Sequence, residues 1–414
     1  MRPYRPPVTR TLPASVLLLC LLVGAGINAW GVTPDIPAAG TPRLAVSSDP
    51  ATRSGFEHYY SLEYDRALAD FEKVQKAHPD DPVAINHVLQ AVFYKELYRA
   101  GALETSLYAS NSFVSKRQVK FAPDAQKQFR ELSERALKAA EQRLAADPND
   151  VEALYARGVT YGLRATYLAL VDKAWFSALR AAIAARRDHE RVLELAPQFA
   201  DAKTAVGVHN YVAGSLPMAI KVAVSLIGLS GSKKKGIQLL YQAAEAKGET
   251  SADARVALVL FLRREERYDE ALKVARSLIA DHPRNFLFAT EEGNILNAAG
   301  KGPEAIASLK RVIEEGKAGR YPDPHLEVPL FSLAEALKGQ RHFAEAADAY
   351  EQVPGYPRAD TDLKQRAHLY AGQMADAAGQ RERARRNYEA ALADDPESDH
   401  AKLARKYLKS PYRL

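Results

Sequence analysis

Hydrophobic and small residues recur along this chain with a fixed spacing. An alanine or another small residue is followed by apolar residues four and seven positions later and, in several copies, by a proline twelve positions later. Steps of three and four place side chains on one face of an α-helix. Proline cannot continue a helix, so it marks the end of each unit. The clearest copies begin at Ala67, Ala271 and Ala384, and looser ones begin at Ala136, Ala185, Gly236, Ala305 and Ala346.

A second small residue stands twelve positions before several of these alanines. It is Gly55 before Ala67, and Gly293 and Gly372 occupy the same place in later copies. Glycine inside a helix costs about 1 kcal/mol relative to alanine. Its repeated presence therefore predicts that the two helices of each unit pack too closely for a larger side chain. Gly158 and Gly207 take the matching place in longer units.

Together these positions resemble the tetratricopeptide repeat, a helix-turn-helix unit of about 34 residues. The resemblance covers residues 50–397 and is best at 48–81, 252–285, 286–319 and 365–398. No copy carries the signature tryptophan of the repeat, and the middle copies are longer than the consensus. The resemblance implies an all-α, right-handed superhelical solenoid of helix-turn-helix hairpins. It also implies a concave face that binds a protein or peptide partner.

The regularity of the spacing divides the chain into five parts. Residues 51–248 are interpreted as irregular repeats with long helices and inserts, residues 249–397 as regular repeats, and residues 398–414 as a C-terminal capping helix. Four prolines and small polar residues predict a flexible linker at 30–50. Residues 1–29 have a different character, which indicates a targeting role.

The N-terminal segment has the order of a secretory signal peptide. Arg2, Arg5 and Arg10 form a basic start, residues 14–27 form an apolar run, and small residues follow up to Ala29. An uncleaved N-terminal anchor is the alternative. The single cysteine, Cys20, lies inside the apolar run, so the remainder has no thiol. We therefore expect an exported protein of the periplasm or cell envelope.

Charge and motifs give little support for nucleic-acid binding or catalysis. Without residues 1–29, 57 − 3 basic residues face 51 acidic residues, a net charge of +3. The ten histidines show no metal-helix spacing, and no phosphate loop or nucleophile elbow occurs. Accordingly, no catalytic, cofactor-binding or metal residue is predicted, and the protein is expected not to be an enzyme. The charged run 186–191 is interpreted as a solvated helix face, with a surface histidine at 189.

One segment departs from the repeat. Residues 203–252 are similar to part of the tetratricopeptide-like family that includes an inclusion-body clearance protein of the mitochondrial outer membrane. Within it, residues 214–236 combine an apolar run with three consecutive lysines. This composition supports an alternative function, a peripheral scaffold that contacts a membrane surface.

The first helix of each hairpin lines the concave face in proteins of this repeat family. On that resemblance, we predict a partner-binding set of seven residues: Arg263, Arg264, Thr290, Asn294, Asn297, Arg366 and Gln373. Asparagine can hold a peptide backbone, and arginine can pair with a carboxylate. The predicted function is therefore non-catalytic binding of a protein or peptide, in envelope assembly or transport. The sequence leaves the partner and the oligomeric state open.

Overall fold

The computed structural model of the protein describes residues 44–104, 118–218, 221–222, 230–246, 248–393 and 395–414. The predicted signal segment lies outside these ranges. Within them the fold is all-α, as predicted, with no strand. The helices are α1 Pro50–Tyr60, α2 Tyr64–Ala77, α3 Pro82–Arg99, α4 Pro123–Ala146, α5 Val151–Leu170, α6 Trp175–Leu195, α7 Ala200–Gly214, α8 Lys233–Glu245, α9 Ser251–Arg264, α10 Tyr268–Asp281, α11 Phe286–Ala298, α12 Gly302–Lys317, α13 Glu327–Gly339, α14 Phe343–Gln352, α15 Thr361–Ala377, α16 Arg381–Ala390 and α17 Asp399–Lys409.

The described residues form two compact units. The first contains residues 44–55, 64–102 and 118–257 with the gaps given above, and the second contains residues 56–63, 103–104 and 258–414. In the first unit, α2 to α8 pack in chain order, each helix against the next. In the second unit, α10 to α17 do the same. This nearest-neighbour packing is the arrangement of a helical solenoid.

The repeated apolar positions form the cores of the hairpins. Every clear copy places its small residue and its four-later partner out of contact with water, as the spacing predicts. In the first unit these are Ala67 and Phe71, and in the second they include Ala271, Ala275, Ala305, Leu309, Ala346, Tyr350, Ala384 and Tyr388, all at most 1% exposed. Burial of such side chains supplies the main stabilising term of each hairpin.

The turn inside each regular hairpin uses a left-handed backbone residue. Gly300 and Gly379 lie at the inner turns of two hairpins, with φ of +76° and +75°. Glu266, Arg341 and Leu62 occupy the same position of other hairpins, with φ of +58°, +62° and +65°. Each of the five lies five residues before the repeat alanine. The turn geometry is thus kept even where the residue is not glycine.

Three glycines explain how closely α7 and α8 pack in the segment that departs from the repeat. A β-carbon on Gly236 of α8 would lie 2.5 Å from the backbone nitrogen of Tyr211 on α7. One on Gly207 would lie 2.9 Å from Leu240 Cγ, and one on Gly214 would lie 2.5 Å from the nitrogen of Lys233. These glycines allow α7 and α8 to approach each other backbone to backbone. Residues 203–214 and 233–245 of the segment therefore belong to a closely packed helix pair of the first unit.

Two expectations from the sequence need correction. The predicted linker 30–50 extends too far, because Ala45–Ser48 form a 3-10 helix and Leu44 and Val46 are each 3% exposed. These two side chains join the core of the first unit beside α5 and α6. Burial against the hairpins fixes this stretch of chain.

The charged run 186–191 is also not a uniformly solvated face. Asp188 and His189 are 1% and 3% exposed. Asp188 accepts two hydrogen bonds from Arg157 on α5, at 2.7 and 2.9 Å. The His189 ring fills the space opposite Gly158, and burial lowers the pKa of this histidine. Two arginines of the run do form ion pairs between neighbouring turns of α6, Arg186 with Glu190 at 2.7 Å and Arg191 with Glu194 at 2.9 Å.

The C-terminal helix α17 completes the second unit. Ala401 and Ala404 are fully buried, and α17 packs on α15 and α16. The guanidinium of Arg381 donates hydrogen bonds of 2.8 Å to the carbonyl oxygens of Tyr407 and Leu408 at the end of this helix. No helix of the described ranges is both long and apolar enough to cross a membrane.

Candidate functional site

Helix α3 of the first unit does not present an open face. Fourteen of the eighteen residues of α3 are buried, so buried positions lie all round the helix. The chain that follows α8 contributes to this cover. Nε2 of His87 on α3 lies 3.0 Å from Oε2 of Glu249, and the hydroxyl of Ser47 donates to the other oxygen of Glu249. Residues of the same chain therefore cover part of α3.

The same covering segment is also attached to α7. Asp201 accepts hydrogen bonds from the backbone nitrogen and the hydroxyl of Thr250, at 2.8 and 3.0 Å. Burial raises the pKa of Asp201, while the bonds from Thr250 oppose that rise. Residues 249–250 are thus held by two first helices of the unit, α3 and α7.

The second unit presents first helices that are less deeply covered. We define its first-helix face as half-buried side chains on α11, α13 and α15. They are Asn294, Asn297, Phe331, Glu335, Lys338, Arg366, Tyr370 and Gln373. Helices α11 and α13 pack against each other, and side chains of α13 and α15 are in direct contact. The face therefore runs across consecutive hairpins, as in a solenoid.

Two cations on the first-helix face lie over aromatic rings. The guanidinium carbon of Arg366 is 4.5 Å from the ring centroid of Phe331, and Nζ of Lys338 is 5.2 Å from that of Tyr370. The two rings are 6.0 Å apart, so the pairs adjoin. Such cation–π contacts are worth about 0.5–2 kcal/mol each, depending on how far they are desolvated. They hold both long side chains in defined positions before any partner binds.

The carboxylate of Glu335 connects this cluster to α14. Glu335 accepts a hydrogen bond from the Tyr350 hydroxyl and another, of 3.2 Å, from Nζ of Lys338. Burial raises the pKa of Tyr350 well above its ordinary value, and Glu335 raises it further. Burial and Glu335 likewise raise the pKa of Tyr370, against the opposing effect of Arg366 and Lys338. Both phenols are therefore neutral donors at physiological pH.

Arg366 has unused hydrogen-bonding capacity. Its Nε is buried and has no hydrogen-bond partner within the described ranges. A guanidinium held flat against a ring still offers its edge to an incoming carboxylate. The arrangement can bind an acidic group next to an apolar or aromatic one.

The seven residues predicted from the sequence to contact a partner differ in their burial and in their bonding within the chain. Thr290 is wrong as a partner contact, because it is 2% exposed and its hydroxyl donates to the Phe286 carbonyl at 2.8 Å. Arg263 forms an ion pair of 2.5 Å with the buried Glu291 of α11, so its charge is already compensated. Asn294 contacts the other oxygen of Glu291 at 3.5 Å. Arg264 is half-buried on α9.

Asn297, Arg366 and Gln373 remain on the face as half-buried side chains. The set predicted from the sequence does not include Phe331, Glu335, Lys338 or Tyr370. One signal could have found Tyr370, since it lies four residues after Arg366 and so shares its helix face. Phe331 stands 41 residues after Thr290, the same offset as 346 − 305 between the repeat alanines. The repeat register alone therefore pointed to Phe331 as well.

In the described part of the chain, no group of three or more His, Cys, Asp or Glu residues has the arrangement of a metal site. The first-helix face consists of cation, aromatic and amide groups together with the carboxylate of Glu335.

Comparison with known proteins agrees with the hairpin architecture. Residues 256–320 match the family model described as tetratricopeptide repeat. A search of the curated proteins found no match. Among solved structures, similarity extends to PilW, a widely conserved type IV pilus biogenesis factor, with 15% identity, a TM-score of 0.34, and coverage of 66% of this chain and 90% of that one.

Two further solved structures are similar over most of the chain. The yeast Tom70 structure has 13% identity and a TM-score of 0.36, with 88% of this chain and 89% of that one covered. The human IFIT1 dimer with m7Gppp-AAAA has 14% identity and a TM-score of 0.41, with 89% and 86% covered.

Proposed function

We propose that this chain is an exported, non-catalytic scaffold that binds a protein or peptide partner on the first-helix face of its second unit. The observation that carries the proposal is the pair of cations, Arg366 and Lys338, held on the rings of Phe331 and Tyr370. Tetratricopeptide-like hairpins serve in general as protein-interaction surfaces. A face fixed in advance lowers the ordering cost of binding an extended segment.

The chemistry of the face defines the kind of segment that would bind. A carboxylate could pair with the guanidinium of Arg366 while an adjacent apolar side chain packs on Phe331 or Tyr370. Asn297 and Gln373 could donate to and accept from the peptide backbone. We therefore propose a partner segment that carries an acidic group beside an apolar residue.

Site-specific photocrosslinking tests this proposal. A photoreactive amino acid placed at Gln373 should capture one protein in cells, and the same probe at the exposed Arg385 on α16 should not. Arg366→Ala should then reduce the Gln373 crosslink at least about tenfold, because loss of a bidentate charged contact costs about 1.4 kcal/mol or more. Arg385→Ala is the matched control. Equal capture at both positions, or capture insensitive to Arg366→Ala, would refute the assignment of this face.

Export is a separate part of the proposal. It rests on the order of Arg2, Arg5 and Arg10, the apolar run 14–27 and the small residues that follow. We propose that these residues direct the protein to the periplasm or cell envelope, where it takes part in envelope assembly or transport. Residues 1–43 fused to a reporter enzyme that is active only after export should give activity. Replacement of Leu18 and Leu19 by Arg should abolish it.

A further inference from the structure

Three large apolar side chains of the first unit are unusually exposed. Phe176, in the first turn of α6, is 85% exposed, and Met218 and Val222, which follow α7, are 73% and 58% exposed. Scattered exposed apolar residues are common on proteins. A group of them on one edge of a molecule instead indicates an interaction surface.

The path of the chain places these three residues on the same edge. Helix α6 connects to α7 through only residues 196–199, and the two helices pack against each other, so they are antiparallel. The start of α6 and the end of α7 therefore lie at one end. Helix α6 has 21 residues and α7 has 15, so the first turn of α6 extends about 9 Å beyond Gly214. Residues 215–218 continue from α7 at this end.

Neighbouring segments confirm which elements share the edge. The backbone nitrogen of Val119 donates to the Leu170 carbonyl at 3.0 Å, and the Gln118 amide donates to the Val171 carbonyl at 2.7 Å. The Gly214–Lys233 approach brings the start of α8 to the same end. We call this surface the turn edge and define it by residues 171–176, 215–218, 221–222 and 230–235.

The turn edge is rich in cations. It carries five lysines, Lys173, Lys221, Lys233, Lys234 and Lys235. The last three occupy the first turn of α8, which holds no acidic residue. Positive charge is disfavoured there by the helix dipole, so its placement is not explained by helix stability. Within the described residues of the edge there is one acid, Asp172, which lies 3.8 Å from Arg130.

Trp175 lies next to the exposed Phe176 in the chain and close to Lys173 of the turn edge. Nζ of Lys173 lies 5.3 Å from the ring centroid of Trp175, which precedes Phe176. Tryptophan is enriched where proteins meet the headgroup layer of a membrane, because its ring is apolar and its N–H is polar. Apolar tips, tryptophan and a net positive charge on one edge are together the chemistry of a surface that binds anionic lipid.

We propose that the turn edge of the first unit docks on an anionic lipid surface. Phe176, Met218 and Val222 enter the interfacial layer, and the lysines contact lipid phosphate groups. This goes beyond the partner-binding face, with which it shares no residue, and makes the scaffold hold its partner close to a membrane. The described part of the apolar–basic segment thus acts together with α6, an element that the sequence did not connect to it.

Trp175 provides a test within the full chain. The chain contains two tryptophans, so the substitution Trp30→Phe leaves Trp175 as the only one. Vesicles of phosphatidylcholine with phosphatidylglycerol, brominated on the acyl chains, should quench its emission at least about twofold more than neutral phosphatidylcholine vesicles do. Unquenched Trp175 on a protein that nevertheless pellets with the vesicles would overturn the proposal, since attachment would then occur elsewhere.

Matched variants distinguish lipid binding by the turn edge from nonspecific binding through exposed apolar side chains. Phe176→Ser with Met218→Ser should remove most of the quenching, and so should Lys233→Gln with Lys234→Gln and Lys235→Gln. The control is Leu403→Ser with Leu414→Ser, two residues that are also exposed, at 41% and 70%, but belong to the second unit. It should quench as the parent does.

Self-association is the competing explanation of exposed apolar residues. If light scattering showed a dimer that Phe176→Ser dissociates, and brominated vesicles left Trp175 unquenched, the edge would be a contact between copies and the lipid proposal would be wrong. A monomer with quenched Trp175 supports docking. Six of the side chains substituted within the described ranges are exposed and Lys233 is half-buried, so thermal unfolding of each variant should stay close to that of the parent.

Discussion

Gly293 on α11 lies against Leu309 on α12, so closely that a β-carbon on the glycine would come within 2.5 Å of Leu309 Cγ. The same relationship joins Gly55 to Phe71 at 2.4 Å and Gly372 to Tyr388 at 2.5 Å. In each pair the glycine stands sixteen residues before the side chain it accommodates. The glycine and the large apolar residue of the repeat are therefore two halves of one contact.

The close contact between Gly293 and Leu309 predicts the effect of adding a methyl group at position 293. Gly293→Ala should destabilise the second unit by about 1–3 kcal/mol through overpacking, although alanine favours helices. Urea denaturation followed by circular dichroism measures the change. Gly339→Ala is the control, because its nearest neighbour would be 3.7 Å away, and it should be neutral or stabilising. If both substitutions stabilised the protein, the close contact would not exist in solution.

Leu309 should determine the size of that effect. Leu309→Ala alone should cost about 2–5 kcal/mol, since the side chain is fully buried. Adding Gly293→Ala to it should cost nothing further, because the clashing atoms have been removed. A double-mutant cycle measures this coupling. Simple additivity of the two changes would show that the glycine is required for another reason.

The inner turns predict opposite effects at equivalent positions. Glu266→Gly should stabilise the second unit by about 0.5–1 kcal/mol, because φ of +58° is strained for a side chain and free for glycine. Gly300→Ala, at φ of +76°, should destabilise it by about 1 kcal/mol. Denaturation midpoints of the two variants report both signs. Changes in the same direction would contradict the shared turn geometry.

The sequence predicts the hairpins well because their contacts are local. Ala305, Leu309 and Gly293 lie within one unit, and their spacing follows from helix geometry. The cover over α3 could not be predicted in the same way, because His87 and Glu249 are 162 residues apart in the chain. The curvature that brings them together is set by many small rotations between neighbouring hairpins.

The exposure of residues on the first-helix face also could not be predicted from the sequence. Thr290 and Phe331 occupy one register of the repeat, yet Thr290 is buried and Phe331 is half-exposed. Register determines which side of a helix a residue lies on, whereas its exposure depends on how far the next hairpin extends. The area that a hairpin covers on its neighbour differs from one unit to the next, because the spacing between repeats is not constant. Cation–aromatic pairs across hairpins, such as Arg366 on Phe331, depend on the same distances.

Asn285 joins α11 to the start of the second unit. Its Oδ1 accepts from the backbone nitrogens of Leu287 and Phe288, at 3.0 and 3.2 Å, and its Nδ2 donates to the Tyr60 carbonyl at 2.8 Å. Asn285→Ser keeps a capping oxygen and should cost about 1 kcal/mol, while Asn285→Ala should cost about 2–3 kcal/mol. Hydrogen exchange of residues 286–290 should rise in that order. Equal losses in the two variants would mean that the cap contributes nothing.

Acid should weaken the contacts that cover α3. Burial by itself would raise the pKa of Glu249, but the ion pair with His87 and the hydrogen bond from Ser47 outweigh it and hold the pKa below its ordinary value. The stabilisation from this carboxylate is therefore present above about pH 4.5 and disappears as pH falls through the lower pKa of the folded state. Glu249→Gln should make unfolding free energy less dependent on pH in that window.

Asp201 should respond in the opposite sense, which makes the two variants a paired test. Burial raises its pKa, so the folded state holds a proton that the unfolded state has released, and this carboxyl lowers stability as pH rises from its ordinary value of 3.8. Asp201→Asn keeps an oxygen for Thr250 and should steepen the rise of stability with pH. Each group changes the slope by at most about 1.4 kcal/mol per pH unit. Urea denaturation at several pH values between about 3 and 6 measures both slopes, and a common direction of change would show that the opposed shifts are wrong.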